Sequence, residues 1–183
     1  NTLKPGETLI LTKPLGTGAI NTALRAEMVS DKAISTAIKS MITLNKGAAD
    51  IIKDYPVSAC TDVTGFGLIG HACEMMADTK TGIHFNLPSI KIFPDAMDYL
   101  SMGLIPAGTY RNKEYRIKFI RDADKLSTET LDIMFDPQTS GGLLFSVPNE
   151  FSNEIMGRLK DSGLESSIAG ETTDNKEIIE ISE

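Results

Sequence analysis

The segment that most restricts the fold is Cys60-Thr61-Asp62-Val63-Thr64-Gly65-Phe66-Gly67-Leu68-Ile69-Gly70-His71. Val57 to Thr61 has the length and composition of a short strand, and it ends at Asp62. Gly65 to Gly67 reads as a tight loop. A helix is expected from about Leu68 to Asp78, with Leu68, Ala72, Met75, Met76 and Thr79 on one side and His71, Glu74 and Asp78 on a solvated side. A strand that passes into a helix through a glycine loop calls for a sheet with helices laid on it.

The rest of the chain repeats the alternation. Strands are expected at Thr8 to Thr12, Gly82 to Leu87, Leu143 to Val147, Ser166 to Ala169 and Glu177 to Ile181. Two or three helical stretches fall between about Ala19 and Asp54, where Ala33, Ala37, Ile38, Met41 and Ile42 recur at helical spacing and Asn45-Lys46-Gly47 interrupts. Further helices are expected at Pro94 to Met102, closed by Gly103, and at Ser127 to Met134, opened by Ser127 as N-cap. Another runs from Asn149 to Lys160 and ends at Gly163. Pro106 to Lys125 is polar and weakly patterned, and reads as a long loop with a strand at Arg116 to Ile120. The fold class is therefore α/β (α+β), a mixed β-sheet packed with helices.

The 183 residues suit one domain, and a chain of that size buries roughly 70% of its unfolded surface without needing a disulfide or a metal. A net charge of −7 argues against a nucleic-acid partner. There is no apolar run of about 18 residues, so no transmembrane helix is expected. Cys60 and Cys73 are too few for a disulfide framework, which points to a reducing, cytoplasmic setting; both read as buried, Cys60 as a small core residue. The chain opens on a polar stretch, Asn1 to Thr8, with neither Met nor signal peptide. It reads as a piece of a longer protein.

Three segments are candidates for chemistry. Asp62 closes a strand, where α/β sheets present ligands, and the glycines after it let a ligand approach the backbone at a helix start. A carboxylate there suits Mg²⁺, which takes one or two carboxylates and keeps several waters; the plainer alternative is that Asp62 caps a turn. Pro14-Leu15-Gly16-Thr17-Gly18 also joins a strand to a helix. Position 21 is Asn rather than a third glycine, and no Gly-Lys-Ser/Thr follows, so it reads as a plain strand-to-helix turn. Asp136-Pro137-Gln138-Thr139-Ser140-Gly141-Gly142 reads as a turn held by side-chain to backbone bonds. His71 and Glu74 share a helix face better explained by solvation than by a metal, and His84 reads as structural.

Together, Thr12 to Gly18, Thr61 to His71 and Asp136 to Leu144 occur in the order found in selenophosphate synthetases (selenide, water dikinases), and the chain resembles the C-terminal domain of that family over essentially its whole length. That family belongs to the aminoimidazole ribonucleotide synthetase superfamily of ATP-using enzymes. The resemblance implies that residues 1–183 are the single C-terminal domain of a two-domain enzyme, whose absent N-terminal domain carries the nucleophile, most of the ATP pocket and the contacts of a homodimer. It implies a reaction of ATP, selenide and water giving selenophosphate, AMP and phosphate. It makes Asp62 a Mg²⁺ ligand, with Thr64, Gly65 and Gly67 lining the ATP site, and assigns no catalytic residue to this half. Alternatives are another ATP-using member of the superfamily, such as a purine-biosynthetic synthetase or thiamine-phosphate kinase, and a non-catalytic binding or assembly domain.

Overall fold

The computed structural model describes residues 2–183. The chain runs through β1 (Glu7–Leu11), α1 (Thr17–Arg25), α2 (Asp31–Ile42), α3 (Lys46–Ile52), β2 (Ala59–Asp62), α4 (Gly67–Met76) and β3 (Gly82–Asn86). It continues through α5 (Ala96–Ser101), α6 (Ala107–Arg116), α7 (Thr128–Met134), β4 (Leu143–Pro148), α8 (Asn149–Asp161), β5 (Ser167–Thr173) and β6 (Ile179–Ser182). The strands form one sheet in the order β2-β4-β1-β5-β3-β6. All neighbours are antiparallel except β3 and β6, so the sheet is mixed as expected.

Strand alternation divides the apolar side chains between two cores. In the central strand β1, Leu9 and Leu11 join the larger core with residues of α1, α4, α5 and α7. Ile10 faces the other way, with Phe145 and Val147 of β4, onto Ala48, Ile51 and Ile52 of α3 and Ile155 and Leu159 of α8. Helices thus cover both faces, and all five residues of β1 are buried.

Several local signals act as the sequence suggests. The Ser127 hydroxyl accepts from the Thr130 N–H, and the Ser30 hydroxyl caps α2 in the same way through the Ala33 N–H. Gly103 and Gly163 have φ of +80° and +74° just past α5 and α8, the left-handed stop that favours glycine.

One expectation of the fold fails. Pro106 to Lys125 is not a loop with a strand at Arg116 to Ile120: it holds α6 and two 3₁₀ turns, Ile117–Phe119 and Ala123–Lys125. The helix escapes a periodicity search because Thr109 is its only fully buried residue. It is fixed by polar anchors, chiefly the Lys113–Asp132 ion pair at 2.5 Å, in which Asp132 is 1% exposed. Strand character survives only at Ile120, which bridges Ile179. On α2, Ala33 and Ala37 are buried, but Ile38 and Ile42 point to solvent.

Candidate functional site

Strand register brings the three candidate segments to one end of the sheet. Asp62, at the end of β2, lies opposite Leu143, at the start of β4. Leu11, at the end of β1, lies opposite Leu144. The Asp136–Gly142 turn therefore emerges between the loop after β1 and the loop after β2. Thr12 N–H donates to Leu143 O, while Leu143 N–H donates to the Thr12 hydroxyl. Val63 N–H donates to Gly142 O. The backbones touch: a Cβ on Gly141 would lie 2.0 Å from Val63 O, and one on Gly142 would lie 2.6 Å from Lys13 N. The buried Lys13 ammonium braces the turn from below, donating to Ser140 O at 2.8 Å and Thr43 O at 2.7 Å; burial lowers its pKa.

The loop after β1 is closed. Gln138 Oε1 accepts from Gly16 N–H at 3.2 Å, Thr17 N–H at 3.3 Å and the Thr17 hydroxyl at 3.2 Å. Asp136 Oδ2 accepts from Gly18 N–H at 2.9 Å and from Gln138 Nε2 at 2.8 Å. The donors that a phosphate would use at the start of α1 are thus already taken by a carboxylate and an amide from the same chain. Asp136 is fully buried, and among the described residues its Oδ1 has no hydrogen-bond partner. Burial pushes its pKa up to about 7, against the lowering effect of the bonds from Gly18, Gln138 and Ala19, with the Asp132 charge adding to the rise. The plain reading of both turns holds, with one addition: each turn is the other's partner.

The loop after β2 is open. Asp62 is exposed, and among the described residues its carboxylate accepts no hydrogen bond and joins no ion pair. It caps nothing: the residue preceding α4 is Phe66, and no side chain caps that helix. The N–H groups of Thr64, Gly65 and Phe66 likewise have no partner among the described residues. Gly65 has open space around it. Gly67 is buried at φ +70°, and a Cβ there would lie 2.7 Å from the Phe135 backbone. Gly65 is thus the glycine at the surface, and Gly67 lets the loop sit on α7. The Thr64 carbonyl accepts from Gly67 N–H and Gln138 N–H, tying the open loop to the closed one.

Two side chains that the sequence did not assign to this loop hold it. His71 is buried rather than solvated, because α4 turns that face toward its own N-terminal loop: His71 Nε2 meets Thr64 Oγ1 at 3.1 Å and Nδ1 meets Glu74 Oε2 at 3.0 Å. Asn112 of α6 donates to Gly65 O at 2.9 Å and Phe135 O at 3.0 Å. Cys60 is not a core residue; it is exposed beside Asp62 because β2 is an edge strand, and partial desolvation of its thiol, then the Asp62 charge, raise its pKa. Cys73 is buried, and its thiol is pushed up to about 11 by desolvation. His84 is partly exposed in β3 and meets Ser182 Oγ at 2.7 Å.

Among the described residues no three His, Cys, Asp or Glu side chains converge on a point. That is unlike an all-protein metal cage, but it fits a hard cation held by one carboxylate and completed elsewhere. No described helix is long and apolar enough to cross a membrane.

Residues 4–182 match the family described as AIR synthase related protein, C-terminal domain, and the chain belongs to it. The chain is 49% identical over 164 residues to the selenide, water dikinase of Caldanaerobacter subterraneus subsp. tengcongensis, a match covering 87% of the chain and 46% of that protein. It is 41% identical over 174 residues to the selenide, water dikinase of Pelobacter propionicus, covering 94% of the chain and 50% of that protein. The chain thus spans about half the length of these relatives. In fold it resembles Escherichia coli HypE, a hydrogenase maturation protein, with TM-score 0.70 at 18% identity over 100% of the chain and 47% of HypE. It also resembles thiamine-monophosphate kinase from Stenotrophomonas maltophilia, with TM-score 0.66 at 11% identity over 99% of the chain and 51% of the kinase.

Proposed function

We propose that this chain is the C-terminal domain of a selenide, water dikinase and supplies one wall of its ATP site. The full protein would convert ATP, selenide and water to selenophosphate, AMP and phosphate, as a cytoplasmic homodimer without nucleic-acid or membrane partners. Identities of 41 and 49% to two such enzymes favour this reading over the thiamine-monophosphate kinases, which share the fold at far lower identity.

The observation that carries the site is the bare Asp62 carboxylate at the end of β2. Among the described residues the fold neither pairs this carboxylate nor uses it as a cap, and it stands beside the unpaired N–H groups of Thr64 to Phe66. Asp62 would hold Mg²⁺, with Thr64, Gly65 and Gly67 forming the loop beneath the nucleotide. When bound, the metal would clamp phosphate oxygens and offset the charge that develops on them. This chain's own residues have a positioning role. Gly67 and Asn112 fix the loop, His71 meets the Thr64 hydroxyl, and the free N–H groups of Thr64 to Phe66 would be available to donate to an anion. No residue of this half is assigned as nucleophile.

The test is AMP formation by the full-length protein, with and without selenide. Selenide-dependent AMP production is expected. AMP release that ignores selenide, or phosphorylation of thiamine monophosphate, would contradict the reading.

A further inference from the structure

The open loop borders a groove of reversed charge. The groove is a cavity of about 560 Å³ with Gly65 and Phe66 on its floor, Arg25 from the end of α1 on one wall and Arg111 of α6 on the other. Past Phe66 it continues into a hollow of about 190 Å³ that Arg111 shares with Tyr115 and Arg116. Among the described residues no Asp or Glu lines either hollow. Of the five arginines in the sequence, Arg121 pairs with Glu180 and Arg158 with Asp54. Of the other three, Arg25 and Arg111 line this groove, while Arg116 lines the smaller hollow and, on another side, a hollow with Glu74, Asp78 and Glu177; none pairs with a carboxylate among the described residues. In a chain of net charge −7, two unpaired guanidiniums on one concavity with no carboxylate among its described lining residues call for an anion.

The wall is also fixed in place. Asn112 ties α6 to the Gly65 carbonyl, and Lys113 ties it to the buried Asp132. Arg111 is thus carried by a helix anchored at the next two residues, which reduces the ordering cost of binding. Guanidinium forks match phosphate oxygens two at a time, and the free N–H groups of Gly65 and Phe66 add neutral donors on the floor.

We propose that this groove is an oligophosphate site, with Arg111 and Arg25 as its principal side chains and with room for a nucleotide-sized ligand. It deepens the proposed function, resting on that reading only for the identity of the anion; arginine recognition needs no metal.

The probe is inorganic tripolyphosphate without divalent cation, titrated into the 183-residue chain and followed by amide NMR and calorimetry. Saturable binding is expected, with shifts at Gly65, Phe66 and Arg111. Arg111→Gln should weaken it at least fivefold and Arg25→Gln at least threefold. Arg111→Lys should recover only part of the loss, and Asp62→Asn should not weaken it. Unchanged melting temperatures separate these effects from misfolding. Equal affinity of Arg111→Gln and wild type, shifts confined to residues outside the groove, or no saturable binding would each overturn the proposal. None of those results would touch the Asp62 reading, which depends on a metal absent from this titration.

Discussion

Two glycine-bearing loops start helices at the same end of this sheet, and they end differently. The loop at Gly16 to Gly18 is sealed by Gln138 and Asp136 from the same chain. The loop at Thr64 to Phe66 leaves its amides free and keeps an exposed carboxylate beside them. The local pattern is shared, since both read as strand, glycine turn and helix, and only the carboxylate of Asp62 at the strand end marks the second in the sequence. The difference is made by side chains arriving from elsewhere: Gln138 lies 122 residues from Gly16. A helix start is an anion site only where the fold has not already supplied the anion.

The strongest test of the closed loop is Gln138→Leu. It leaves two backbone N–H groups and the Thr17 hydroxyl without their acceptor in a buried site. At about 1–3 kcal/mol for each unsatisfied buried group, a loss of about 3–5 kcal/mol is expected in urea denaturation. A loss below about 1 kcal/mol would mean that the two turns do not hold each other.

Next in size is a contrast within the open loop. Gly67→Ala should cost about 2–3 kcal/mol, since it combines a left-handed backbone with a Cβ pressed on Phe135. Gly65→Ala, with open space around it, should stay within about 0.5 kcal/mol of wild type. Equal costs would show that Gly65 too is held by packing.

Asp136 gives a pH signature to the closed side alone. Its folded pKa of about 7 lies above the ordinary carboxylate value, so the folded state holds the proton more tightly than the unfolded chain. The associated stability is fully present below about pH 4 and is lost as pH rises through about 7. Asp132, which pushes in the same direction, is itself paired with Lys113. Asp136→Asn should therefore flatten the fall in urea midpoint between pH 5 and 8 relative to wild type. An unchanged slope would place the charge elsewhere.

Much of this fold was legible because it is written locally. Ser127, Gly103 and Gly163 end or begin helices where their chemistry says, and the strands fall within a few residues of their expected places. What was not legible depends on distant partners. Helix α6 has no apolar stripe and is held by Asn112 and Lys113. His71 is buried by its bond to Thr64, and Cys60 is exposed because β2 falls at the sheet edge. The convergence of the three segments comes from the pairing of β4 with β1 and β2, a register that no segment contains by itself. Asp62 was visible as a candidate from its place at the end of a strand; that it caps nothing required the structure.

The smallest stability effect belongs to the residue on which the functional reading turns. Asp62→Asn removes a charge that the fold does not use, so its denaturation midpoint should lie within about 0.5 kcal/mol of wild type. The decisive measurement is to purify this variant in the full-length protein and compare both its melting and its Mg²⁺-dependent turnover with wild type. Unchanged melting with turnover reduced at least a hundredfold is the predicted result. Turnover near wild type with unaltered Mg²⁺ dependence, or a lowered melting temperature that alone accounts for the loss, would contradict the account.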